Sequence, residues 1–308
     1  MTSTTASESF TYEEKIESTD QKEVISEVSS EVEEKPLIIE NYIKIEDITT
    51  NNSELKTFGD LNVDVSKIQS ILNNYNKNIS ILTYSLDGKK AIAYNTEKTY
   101  FSACTIKAGY VLSCCSQIEE KMANKDTLLT YQSKHYHDGS GKIKNQPYGT
   151  QYTIEKLIHE CLSISDNVAY EMLYDYFGID HYNRMINDLG CDGLSLNGMW
   201  AYKVKVNDLA ALWLAINKYF ESGSEMSNIL KNACTNTPFN YGSRFLTNVN
   251  YSHKSGDNFG QFAAYNDAGI VWSENPYVYV VLTNSEGDSI DKNTVDNAMS
   301  QIFEIMQS

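Results

Sequence analysis

The chain has 308 residues, enough for one large domain or two small ones, and 41% of them are hydrophobic, which supports a sizeable core. Its 41 acidic residues against 25 basic ones give a net charge of −16, which argues against a nucleic-acid partner because neutralising phosphate needs a basic surface. Six cysteines in a chain this long are not a disulfide framework, and no run of about 18 apolar residues is present to cross a membrane.

Residues 1–54 differ in kind from the rest. Between Met1 and Glu34 there are ten acidic residues, two lysines, many Ser and Thr, and only Phe10 and Tyr12 as aromatics. Such a segment buries too little apolar surface to offset the entropy of ordering and reads as a disordered tail or linker. No apolar stretch of signal-peptide type follows Met1, so either a natural start or the loss of an anchor fits this beginning. The more apolar stretch KPLIIENYIKIEDI can dock on the domain as a strand.

The folded domain is expected over residues 55–308. Val65, Ile68, Leu72 and Tyr75 recur at helical spacing and predict a first helix. ISILTYSLDGKKAIAYN reads as two strands joined at Asp87-Gly88, a strong hairpin signal. A helical block follows from Cys104 to about Phe220. Three strands come next, NYSHKSG, FAAYNDAGIVW and YVYVVLTN. The chain closes on a helix whose Val295, Ala298, Met299, Ile302, Phe303 and Met306 form one apolar stripe. The expected class is α+β: an antiparallel five-stranded sheet packed with the N- and C-terminal helices, plus an all-helical lobe with a cleft beside it.

Three short motifs carry the candidate chemistry. In YFSACTIKAGYVL, Cys104 and Lys107 stand three apart and share one face at the beginning of a helix. There the helix dipole and the ammonium both favour a thiolate, and the lysine can alternatively serve as the base. Ser165-Asp166-Asn167 supplies a hydroxyl to relay a proton and an amide to bind substrate, or simply a polar helix cap. Lys254-Ser255-Gly256, at a strand end, offers a cation and a hydroxyl to a carboxylate, with glycine permitting close approach. Ser102 and Thr105 lie off the Lys107 face.

Together, Cys104-Thr105-Ile106-Lys107, Ser165-Asp166-Asn167 and Lys254-Ser255-Gly256 resemble the S-x-x-K, S-D-N and K-T-G signature of the class A β-lactamases, in the wider family of penicillin-recognising serine hydrolases. The resemblance implies Cys104 as nucleophile, Lys107 as proton acceptor and Ser165 as proton relay. It implies Asn167 as the acyl-amide binder and Lys254 and Ser255 as the carboxylate site. An oxyanion hole would come from the backbone N–H groups of Cys104 and Asp257, with donors of this kind worth about 3–4 kcal/mol of barrier each. It further implies an acyl-enzyme hydrolase of a β-lactam or D-alanyl peptide, working as an extracellular or cell-surface monomer without a cofactor or metal.

Two departures stand out. Cysteine occupies the position of the family's serine. The stretch LGCDGLSLNGMWAYKVKVNDLAALW, where the family has a glutamate that activates water, contains no Glu; Asp192 comes too early, and Asp208 reads as a helix cap. An acyl-Cys104 is a thioester and yields readily to amines, so turnover without that glutamate, or transfer to an amine, is one outcome. D,D-peptidase or transpeptidase activity, and a silent cell-wall-binding module, are the alternatives. His135 and His137, two apart beside Asp138, lack the further ligands a metal site needs, and His253 is expected to line its strand.

Overall fold

The computed structural model describes residues 43–59, 61–75, 78–235, 237–238, 246, 249–287 and 289–308. The tail read over residues 1–54 lies, up to residue 42, outside them.

One antiparallel sheet organises the domain. Its strands are β1 (Leu55–Gly59), β2 (Ile79–Ser85), β3 (Lys90–Tyr94), β6 (Asn250–Asn258), β7 (Ala264–Trp272) and β8 (Tyr277–Thr283), in the order β1-β3-β2-β8-β7-β6. A separate two-stranded ribbon joins β4 (Leu128–Thr130) to β5 (Gln151–Thr153). Period-two side-chain alternation between two covered faces explains why the central strands β2 and β8 are buried at every position. In β8, Val278, Val280 and Leu282 enter the core shared with the helical lobe, whereas Tyr277, Tyr279 and Val281 face the opposite core. That second core is closed by α1 (Ser66–Asn73), through Ile68 and Leu72, and by the stripe Val295, Ala298, Met299, Ile302, Phe303 and Met306 of α8 (Ser289–Gln307).

The sheet has six strands, one more than the five expected. The added β1 pairs with β3 from Leu55↔Tyr94 to Gly59↔Lys90. Only Leu55 of its five residues is buried, so an edge strand of this kind carries little periodic signal. The packed domain also reaches back past residue 55. Thr50 and Thr96 exchange backbone-to-hydroxyl bonds of 3.0 and 3.1 Å. Asn207 Nδ2 donates to Ile45 O and Ile48 O at 2.8 and 3.0 Å, over a fully buried Ile48. The described part of KPLIIENYIKIEDI is not a strand: Ile45–Asp47 is a short 3-10 turn.

The helical lobe comprises α2 (Ile106–Glu119), α3 (Ile154–Ser163), α4 (Asn167–Phe177), α5 (Asp180–Asp188), α6 (Val206–Glu221) and α7 (Glu225–Thr235), so it runs past the expected limit near Phe220. Helix α2 is buried on all sides, as expected for a helix apolar around its circumference. Asp208 is not the N-cap of α6 but its third residue; its carboxylate reaches back to accept Lys205 N at 3.0 Å.

The edge strand β6 lies against the turn that precedes α2, and its seat depends on Gly269 of β7, which pairs with His253. A methyl group at Gly269 would fall 2.3 Å from Ser252 O and 2.6 Å from His253 Cβ. Gly269→Ala is therefore expected to destabilise the domain by about 2–3 kcal/mol, read as a lower urea midpoint. An unchanged midpoint would show that β6 and β7 separate without cost.

Candidate functional site

Two segments held in the left-handed backbone region meet at one end of α2. Cys104 sits in a 3-10 turn, Ala103–Thr105, that runs directly into the helix, and Ala103 has φ +44°. Ser165, which lies between α3 and α4, has φ +57°. Non-glycine residues adopt such angles only where the surroundings fix them, and here both hold the candidate groups toward one another.

Asp166 is the fastener. Its side chain is fully buried and accepts four backbone N–H bonds, from Val168 (2.9 Å) and Ala169 (3.0 Å) at the start of α4, and from Lys142 (2.7 Å) and Ile143 (2.9 Å) in the preceding loop. One carboxylate thus caps α4 and ties the 138–143 loop beside it. Asn167 is oriented from both ends: Lys107 Nζ donates to its Oδ1 at 2.7 Å, while its Nδ2 donates to Asp138 O at 2.7 Å. The same Nδ2 stands 3.4 Å from His137 Nδ1.

Lys107 and Lys254 converge on Ser165. Lys107 Nζ donates to Ser165 O at 2.8 Å and approaches Ser165 Oγ at 3.4 Å. Lys254 Nζ donates to the same Oγ at 2.9 Å and to Ser255 O at 2.8 Å. Both lysines are buried, at 0% and 2% exposure. The Lys107 ammonium also stands 5.5 Å from the ring centre of Tyr170 and 5.9 Å from that of Trp200, within cation–π range. Lys254 lies within β6 rather than at its end, as do Ser255, Gly256 and Asp257.

The electrostatics single out one cysteine. Burial pushes the thiols of Cys161, Cys191 and Cys234 up to about 12, and those of Cys114 and Cys115 higher still. Burial acts on Cys104 too, but it is outweighed by the charges of Lys107 and Lys254 and by hydrogen bonds from Ser165 and Lys107, so its thiol lies below the usual range. Lys254 is itself lowered, by burial first and by the neighbouring Lys107 charge, with the Cys104 sulfur opposing both. Ser165 Oγ already accepts from lysine, so its own proton is the one it can give. Cys104 Sγ is 4.0 Å from Asn167 Oδ1, a weak contact.

Gly256 keeps the space in front of Cys104 open. A Cβ there would stand 2.6 Å from Cys104 N and 2.9 Å from Thr105 N, over the backbone donors that an oxyanion would need. The strand thus brings Gly256 and the adjoining Ser255 and Asp257 alongside the 3-10 turn. Ser102 and Thr105 are occupied elsewhere: Ser102 Oγ accepts Ala201 N at 3.2 Å, and Thr105 Oγ1 donates to Ser102 O at 2.6 Å.

The loop expected to hold a water-activating glutamate presents Trp200 over Lys107 instead, and Tyr170 OH fixes it by donating to Met199 O at 2.8 Å. Tyr170 was legible in principle, three residues after Asn167 on α4 and hence on its face; Trp200 was not, because its contact is purely long-range. His137 Nδ1, 2.7 Å from Asp138 O, must donate to that carbonyl, while His135 donates through Nε2 to Asp175 at 3.2 Å. Among the described residues, no three of His, Cys, Asp and Glu are grouped to hold a metal ion.

Asp166→Ala would strand four buried N–H groups. It should cost roughly 2–4 kcal/mol and lower the thermal midpoint measured by calorimetry. An unchanged midpoint would contradict the fastening role.

The model of the β-lactamase enzyme family matches residues 65–306. Among solved structures, the chain resembles PBP-A at 22% identity and a TM-score of 0.68, covering 78% of this chain and 95% of that one. A point mutant of PBP-A, in an acyl-enzyme complex with penicillin G, gives 21% and 0.69 over the same shares. A β-lactamase from Sphaerobacter thermophilus gives 18% and 0.69, covering 79% of this chain and 98% of that one. Comparison with functionally curated proteins gives no match. The antiparallel sheet, its two flanking helices and the helical lobe are thus the β-lactamase/transpeptidase-like fold, and the chain belongs to the β-lactamase enzyme family.

Proposed function

We propose that this protein forms an acyl-enzyme on Cys104 from the carbonyl of a β-lactam or a D-alanyl peptide, outside the cytoplasmic membrane and as a monomer. The observation that carries this reading is the convergence of Lys107 and Lys254 on Ser165 beside a thiol held below its usual range. A module that only binds has no need of two buried cations around a hydroxyl.

Each group then has a task. Cys104, held as a thiolate by the Lys107 and Lys254 charges, attacks the carbonyl carbon. The C=O electron pair moves onto oxygen, which the N–H groups of Cys104 and Asp257 receive. As the tetrahedral intermediate collapses, the C–N bond breaks. The leaving nitrogen takes the Ser165 proton, which is replaced from a lysine ammonium. Lys254 and Ser255 hold the substrate carboxylate, and Asn167 binds the acyl amide.

The second half-reaction differs from that of a serine enzyme with a loop glutamate. Trp200 covers Lys107 at 5.9 Å, and an indole cannot activate water. The thioester therefore awaits an amine, which favours transpeptidase chemistry over rapid hydrolysis. Intact-mass measurement with penicillin G should show one adduct on the unaltered chain and none on Cys104→Ala, with an added amine shortening the adduct's lifetime. An adduct on Cys104→Ala would overturn the assignment of the nucleophile.

A further inference from the structure

The aromatic wall over Lys107 continues outward. Phe101 lies 6.2 Å from Trp200, between ring centres, and packs at 5.1 Å on Tyr202 and 5.4 Å on Phe262. Tyr202 and Phe262 close the triangle at 5.2 Å, yet they stay 50% and 43% exposed. The backbone beneath is fixed: Tyr100 pairs with Val204, and Ser102 N donates to Ala201 O at 2.9 Å. Asn258 Nδ2 holds Phe262 O at 2.8 Å. Three preformed rings left partly in water are a platform awaiting an occupant.

The platform forms part of a cavity of about 570 Å³, a size suited to a small ligand. Its other lining is polar: Asn78, Glu97, Gln261 and Asn284, all exposed, bring planar amide and carboxylate groups. Glu97 is paired with Lys205 at 2.7 Å, and the Lys98 ammonium donates to Asn78 Oδ1 at 3.0 Å. An apolar chain in this cavity would take water from those groups and return nothing. A sugar ring answers both demands, with its C–H face on the aromatic rings and its hydroxyls on the amides and carboxylate.

We propose that this cavity is a saccharide subsite, taking pyranose rings of a cell-wall glycan whose peptide enters the adjoining cleft. The identity of that glycan rests on the cell-wall reading of the Cys104 site, and the subsite follows from its own geometry. Phe101 links the two, three residues before Cys104 and in contact with the Trp200 that covers Lys107.

The test is a saturation-transfer and titration experiment by NMR with the disaccharide chitobiose on the full chain and on the double variant Tyr202→Ala/Phe262→Ala, with thermal melting to verify that the variant is folded. Saturable binding to the unaltered chain, weakened roughly ten-fold or more in the variant, is expected. No saturable binding, equal binding by the folded variant, or displacement of the sugar by a simple alkyl amide would overturn the subsite. Penicillin adducts are scored on the same samples. Sugar binding without an adduct would leave the subsite standing and remove the acylation reading, and an adduct without sugar binding would do the reverse.

Discussion

Two ammonium groups removed from water within reach of one serine are the constraint on which the rest of this site depends. Burying like charges together is costly, and here the surroundings answer it in kind. Lys107 has a carbonyl, an amide oxygen and two aromatic rings. Lys254 has a hydroxyl and a carbonyl. What remains uncompensated is a positive field, and Cys104 is the group placed in it. Burial pushes the five other thiols up, whereas this one lies low because only here are cations near enough to prevail.

Holding that arrangement requires backbone that the chain would not adopt on its own. Ala103 and Ser165 both have positive φ, and each is braced by what surrounds it. The four N–H bonds to Asp166 fix the start of α4 on one side. The close approach of Gly256 to Cys104 N fixes β6 on the other. The middle residue of the serine-aspartate-asparagine motif is therefore structural, while its neighbours face the cleft.

Much of this was legible in the sequence because it is written locally. Cys104 and Lys107 share a helix face by spacing alone, Asp87-Gly88 announces its hairpin, and the stripe from Val295 to Met306 marks α8. The three motifs in order identified the family. What escaped was written in long-range contacts. Strand β1 buries only Leu55, so it lacked alternation strong enough to read. Residues 43–54 pack through Ile48 and through hydrogen bonds to Thr96 and Asn207, partners distant in the chain. Nothing in the sequence around Trp200 points to Lys107, although the absence of a glutamate from its loop was plain. The triangle of Phe101, Tyr202 and Phe262 draws on three separate segments and becomes visible only once they are brought together.

A cysteine in a doubly cationic site and a tryptophan in place of a water-activating carboxylate form a consistent pair. In the proposed reaction the first lowers the barrier to acylation, and the second leaves the thioester for an amine. The first of these rests on Cys104 ionising more readily than an ordinary thiol. The most direct measurement is the pH titration of thiolate ultraviolet absorbance, taken as the difference between the unaltered chain and Cys104→Ala. A lowered thiol pKa means that the anion persists as pH falls below the usual thiol value of about 8.5, so the midpoint should lie clearly below it and rise in Lys254→Met. A midpoint at or above the ordinary value would contradict the electrostatic origin assigned to this site.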